Sequence, residues 1–309
     1  ARFDTTLRAA LPLAGGVWLS VPEHKLYALS ITLEHRGWLV SRSLPYYPLS
    51  KAIAAAGGRT LDLRDARTPA EIPAGADLSL VRVRGLEGIS EVRVMEALER
   101  LAEAAKGKGA MVVALSLAAP RAARRTPLSG LLDRMVSAGV GVVVGAGNAG
   151  PNLGTVPAPG DSVLAVIVAA ASRAGLQFYS SRGTPESPSV TWTDLVDDLQ
   201  PGEVLADAAA KVFGTAAAAE RTAEKLAVLA RVLTEGLAVT GRALPEGWFQ
   251  YLTNLVKRSL TPLPSYGEHE AGAGLFDSPQ RTLDLLRARL HDPQAIEREA
   301  KTLASPRGS

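Results

Sequence analysis

The sharpest chemical signal in the chain is the run Val142–Pro151, VVVGAGNAGP. Gly145, Gly147 and Gly150 follow an apolar stretch with the G-x-G-x-x-G spacing of a loop that cradles a dinucleotide pyrophosphate. That chemistry needs a helix to start at once, and an acidic residue about 20 positions on to hold the ribose. Pro151, Gly154, Pro157, Pro159 and Gly160 break any such helix, and the next apolar run ends at Ser172-Arg173 without a carboxylate. The nucleotide reading therefore fails. What survives is Asn148, on a glycine-flanked loop where an apolar run ends. A side-chain amide in that place can donate a hydrogen bond to an oxyanion as it develops.

Other segments fall around this loop in a telling order. Upstream are ARFDTTLRAALPLAG (Ala1–Gly15) and MVVALSLAAP (Met111–Pro120). Downstream are LAVIVAAASRAGLQFYSSRG (Leu164–Gly183), DLVDDLQPGEVL (Asp194–Leu205), FGTA (Phe213–Ala216) and GEHEAGAGLFDSPQRTLDLL (Gly267–Leu286). Taken together, and in this order over nearly the whole length, they resemble the subtilisin-like serine proteases, the subtilase family. The resemblance implies an α/β, three-layer, doubly wound fold with a mainly parallel central sheet. It places Asn148 at the oxyanion-hole position, Asp4 at the triad aspartate, Tyr46 at the histidine and Ala216 at the serine.

The resemblance also shows where the chemistry departs. Acyl transfer needs a hydroxyl nucleophile, an imidazole to take its proton and a carboxylate behind it. Gly214-Thr215-Ala216-Ala217-Ala218-Ala219-Glu220-Arg221 stands where the family reads GTSMAxPH, so the nucleophile position has no oxygen. Glu220 replaces the proline and Arg221 the histidine, a wider divergence than a single replaced serine would leave. A tyrosine at position 46, with a phenol pKa near 10, is a poor base at neutral pH. Losing nucleophile and base together costs on the order of a million-fold in rate. Of the four histidines, His24 and His35 lie too early in the chain for the base, and His269 and His291 read as solvent-facing.

The expected function is therefore binding without cleavage, by a degenerate member of the family. Strand addition would seat an extended peptide on Ser116, Leu117 and Ala118, with Gly145, Ala146 and Gly147 as the facing wall and Gly214 and Thr215 beside them. The partner would be a peptide or protein, such as an active protease or a subunit of a complex. Two alternatives stay open: an endopeptidase whose serine was replaced by Ala216, and a structural subunit of a larger protease-related assembly, its cleft empty or plugged by its own chain. No metal or cofactor is expected, since no run of acidic ligands appears and Asp197-Asp198 is too short. The helix beginning near Thr215 carries Glu220, Arg221, Glu224 and Lys225, read as a solvated face with repulsive i,i+4 pairs. Arg121, Arg124 and Arg125 form another candidate contact patch.

Periodicity supplies the elements that must carry these residues. Apolar alternation marks a strand over 76–84, and unbroken apolar runs mark buried strands over 111–117, 140–145 and 163–170. A 3.6-residue rhythm marks helices over 92–106, 128–137, 211–233 and 281–290. Strand and helix alternate at the spacing of right-handed crossovers in a parallel sheet. The 309 residues read as a single domain, begun inside a strand as a fragment or processed product would be, with 291–309 as a tail. Hydrophobic residues make up 47% and charged residues 21%, an ordinary folded balance. A net charge of +3, with basic residues scattered, argues against nucleic acid, and no apolar run is long enough to span a bilayer. Cysteine is absent, which excludes disulfides and thiolate metal sites. The resemblance implies a secreted or extracytoplasmic setting; the residues themselves leave the compartment open.

Overall fold

The computed structural model describes residues 6–22, 25, 29, 32–34, 36, 45–48, 59–62, 80–84, 89–119, 126–187, 190–196 and 214–304. Its centre is a seven-stranded sheet. Five strands lie in the order β4 (Arg59–Asp62), β5 (Leu80–Arg84), β7 (Met111–Leu115), β9 (Val140–Gly145) and β10 (Val166–Ser172). All pair in parallel, and β12 (Trp192–Leu195) adds to β10 in parallel. Only the two-residue β11 (Gly175–Leu176) is antiparallel, against the end of β10. A separate hairpin joins β1 (Thr6–Leu11) to β2 (Gly16–Ser20). A third small sheet sets β3 (Pro45–Pro48) between β6 (Ile89–Ser90) and β8 (Leu117–Ala118).

The apolar runs explain the centre. β7, β9 and β10 are buried at every position, as strands covered on both faces must be. Helices α1 (Glu91–Ala105) and α2 (Pro127–Ser137) pack together, and α2 lies on β9. The long helix α3 (Gly214–Ala238) lies across β7, β9, β10 and β12, without substantial contact with α1 or α2. It therefore covers the opposite face and completes three layers. Its first turns are alanines buried all round, and that small-residue surface lets the helix axis come close to the strands. Thr126 caps α2 by accepting from Ser129 N at 3.2 Å, with Pro127 at the first helical position. Glu91 of α1, itself buried, accepts from Leu128 N at 3.1 Å, satisfying another donor at that end.

Most expected elements appear within a few residues of their forecast limits, and β9 at the stated ones. Residues 76–79 and 211–213 lie outside the described residues. Three differences stand out. Helix α4 (Trp248–Lys257), too rich in aromatic and β-branched residues to advertise itself, buries Trp248, Phe249, Tyr251 and Leu252. The four-residue α5 (Glu268–Ala271) is the second, and α6 (Gln280–Arg289) follows within a residue of its expected limits. Residues 291–309, read as a tail, contain a further helix, α7 (Pro293–Ala304), whose Ile296 and Ala300 are fully buried one turn apart.

Candidate functional site

The loop after β9 and the first turn of α3 meet. Ala146 continues the sheet by donating its N–H to Val168 O at 2.9 Å. Gly147 then takes φ +98°, and a Cβ there would lie 2.6 Å from Pro157 Cδ and 2.9 Å from Ser181 Oγ. Only glycine fits this close approach in a left-handed conformation. Gly147 N donates to Thr215 Oγ1 at 3.0 Å. Thr215 in turn donates twice to Asn148 Oδ1, from N and from Oγ1, each at 3.0 Å. The carboxamide oxygen of Asn148 is thus held by the helix start, which fixes the plane of the amide. Gly214, at φ +64°, packs on the same amide: a Cβ would sit 2.7 Å from Oδ1 and 2.9 Å from Nδ2.

The FYSSRG run ties this loop to β10, Ser180 bonding the strand and Ser181 the loop. Ser180 Oγ accepts from Ala170 N at 3.1 Å and Ser181 Oγ from Ala149 N at 3.0 Å, while Gly150 N donates to Tyr179 O at 2.8 Å. Of the expected site, Asn148, Gly147, Gly214 and Thr215 therefore form one bonded cluster. Ala216 follows directly and is wholly buried.

Ser116, Leu117 and Ala118 lie where β7 passes into β8, all buried. Their edge is already paired. β3 runs antiparallel to β8, with Tyr47 opposite Ala118 and Pro48 opposite Leu117, and antiparallel to β6, with Pro45 opposite Ser90 and Tyr46 opposite Ile89. Tyr46 consequently lies inside a strand. The prolines explain it: Pro45 and Pro48 fix φ near −65° and hold the residues before them extended.

The mid-section of α3 corrects the reading of its charges. Glu220 is buried and accepts a long hydrogen bond from Ser116 Oγ at 3.4 Å. Arg221 donates to Leu195 O at 3.0 Å. Lys225 Nζ lies 2.7 Å from Asp194 Oδ1, also donates to Phe276 O, and sits 4.7 Å from the centre of the Phe276 ring. Thr222 Oγ1 donates to Asp194 Oδ2 at 2.7 Å. Burial pushes the Asp194 carboxyl above its ordinary range, against the downward pull of Lys225 and Thr222. These charges are spent on partners across the core, so the like-charge pairs along the helix do not govern it. Sequence reasoning missed this fastening because Asp194 is remote in the chain.

The other candidates fall elsewhere. Asp4, His24, His35 and the Arg121, Arg124, Arg125 cluster lie outside the described residues. His291 is exposed; His269 is half-buried, a correction to its expected exposure. His269 lines a cleft of about 740 Å³ with Asp161, Glu186, Lys257 and Glu268, well apart from the Asn148 cluster in its lining residues. A second cleft, of about 1040 Å³, opens between Leu13, Glu99, Lys106, Leu244 and Trp248. Among the described residues no group of three or more acidic or histidine side chains is placed to hold a metal ion. Nor is any described helix long and apolar enough to cross a membrane.

No family model matches the chain, and no curated protein matches it. Among solved structures it is similar to a mutant of the protease domain of PatA, at 18% identity over 67% of this chain and 72% of that one, with a TM-score of 0.46. It is also similar to the prenylagaramide maturation protease PagA, at 18% identity over 66% and 73% of the two chains, with a TM-score of 0.47. A third is the PatG macrocyclase in complex with peptide, at 16% identity over 67% and 60%, with a TM-score of 0.44.

Proposed function

We infer that this chain is a subtilisin-like scaffold that binds an extended peptide or protein segment and does not cleave it. The observation that carries the reading is the environment of Ala216. Thr215 fixes Asn148 beside the start of α3, and Ala216, which the family resemblance sets at the nucleophile position, is a buried methyl group. A hydrogen-bonding wall without a reactive oxygen can orient a peptide carbonyl but cannot form an acyl intermediate. On this reading Gly145, Ala146 and Gly147 are the wall and Leu117 and Ala118 the strand opposite, all of them buried in the chain as it stands. The partner is a polypeptide, either a free peptide or an exposed segment of a protease or complex subunit.

Restoring the hydroxyl tests the reading. Ala216→Ser should give neither peptide hydrolysis nor labelling by a fluorophosphonate, because no described histidine is bonded to that turn. Robust labelling of the Ser variant would overturn the reading in favour of an endopeptidase lacking only its nucleophile.

A further inference from the structure

The small sheet carries an inference that rests on the peptide-binding reading and deepens it. β6 and β8 do not pair with each other; β3 lies between them and pairs with both. The two pairings are staggered along β3: its first half, Pro45 and Tyr46, pairs with β6, and its second half, Tyr47 and Pro48, pairs with β8. β8 is the strand expected to receive a peptide, and its edge is taken by two residues of the chain itself, Tyr47 and Pro48. β3 is antiparallel to it, running from Tyr47 opposite Ala118 to Pro48 opposite Leu117. It therefore heads toward Ser116, whose hydroxyl contacts Glu220 one turn beyond Ala216. That is the path an extended peptide would take to reach the Asn148 loop.

The occupant is poorly equipped to hold its place. Pro45 and Pro48 have no N–H, so only Tyr46 and Tyr47 can donate to the two flanking strands. A strand with a full set of donors would make more bonds in the same slot. We propose that Pro45–Pro48 is a built-in strand that fills the peptide slot between β6 and β8 and gives way to a competing extended peptide. Its ligand class is thus a polypeptide strand, admitted only when β3 leaves.

The chain has no cysteine, so one engineered disulfide can be read without interference. Tyr47→Cys with Ala118→Cys places two thiols on directly opposed residues, within disulfide reach for an antiparallel pair. A second variant opens the slot by Pro45→Gly, Tyr46→Ser, Tyr47→Gly and Pro48→Ser, with circular dichroism checking that it folds. The probes are fluorescent SLPYYPLS, the chain's own residues 43–50, and SLAYYALS, which restores the two missing donors. The expected result is that the disulfide forms, the oxidised protein binds neither probe, and reduction restores binding. The opened variant should bind at least about tenfold tighter than the native chain, the factor for a slot open no more than a tenth of the time. SLAYYALS should bind it the more tightly of the two.

Failure of the disulfide to form would overturn the proposal. So would equal binding by the locked and opened proteins, which would leave the peptide-binding reading intact and place the peptide elsewhere. Absence of binding in the locked, reduced and opened forms alike would overturn the peptide-binding reading, and this inference with it. Should the opened variant fail to fold, the oxidised and reduced comparison decides alone.

Discussion

The first turn of α3 and the two turns that follow it are built on opposite plans. At the first turn, Gly214, Thr215 and Ala216 present no ionisable group, and the polar atoms of Thr215 and Asn148 are bonded to each other. One to three turns on, Glu220 and Lys225 are drawn into the core with Ser116, Asp194 and Thr222. A catalytic helix would place its reactive group at the cleft end, where the helix dipole favours developing negative charge. Here the helix start carries no ionisable side chain, and the ionisable side chains further on fasten the helix to β12 and the segment before α6. The comparison teaches that the helix is held by charge and presented by backbone.

The largest expected effect comes from breaking the fastening. Lys225→Met leaves the Asp194 carboxylate buried without its ammonium, which costs about 3–5 kcal/mol of stability at neutral pH. Burial raises the Asp194 carboxyl, so acid neutralises the group in the folded state before the unfolded one. The cost should therefore shrink as pH falls. Urea unfolding of both proteins at several pH values checks this; a loss that is constant with pH would show that Asp194 is not the group left exposed to burial. Adding Asp194→Asn to Lys225→Met should recover part of the loss.

The first turn should give less. Thr215→Val removes the acceptor of Gly147 N and one donor to Asn148, leaving a buried N–H unpaired, at a cost of about 1–3 kcal/mol. It should also weaken binding of the slot probe more than Lys225→Met does, once both are compared at temperatures where the proteins are folded. The reverse order would mean that the middle of α3, and not its first turn, shapes the peptide site. Gly214→Ala should fall in the same range of about 1–3 kcal/mol, since it combines φ +64° with a Cβ that strikes the Asn148 amide.

What could be read from the chain follows the same division. β9 was legible to the residue because a strand buried on both faces is an unbroken apolar run. Asn148 was legible because the glycines and prolines around it admit a loop and no helix. Glu220 and Lys225 were not: their partners, Ser116 between β7 and β8 and Asp194 on β12, are remote in sequence, and a helix's own pattern cannot show them. β3 was not legible either. Its partners are two residues long each, too short for any periodicity, and its prolines read as a break until pairing on both sides makes them a strand. The helix after His291 escaped notice because only Ile296 and Ala300 mark its buried side amid charged residues.

The smallest effect sharpens the comparison from outside the helix. Asp161, near the 740 Å³ cleft, accepts a short hydrogen bond from Ser129 Oγ. Burial raises its carboxyl above the ordinary 3.8, and the neighbouring Asp133 pushes the same way, against Ser129 and the Thr126 backbone. Among the described residues no cation offsets the burial, in contrast to Lys225 at Asp194. Between 3.8 and the raised value the folded state binds more protons than the unfolded one, so stability falls as pH rises through that window. Asp161→Asn keeps an acceptor for Ser129 and removes the charge. The variant should therefore match or exceed the native melting temperature at pH 7 and lose that advantage in acid. A difference that stays flat, or grows as pH falls, would mean that the carboxylate at Asp161 is stabilised where it sits, as a charge with an adequate partner would be.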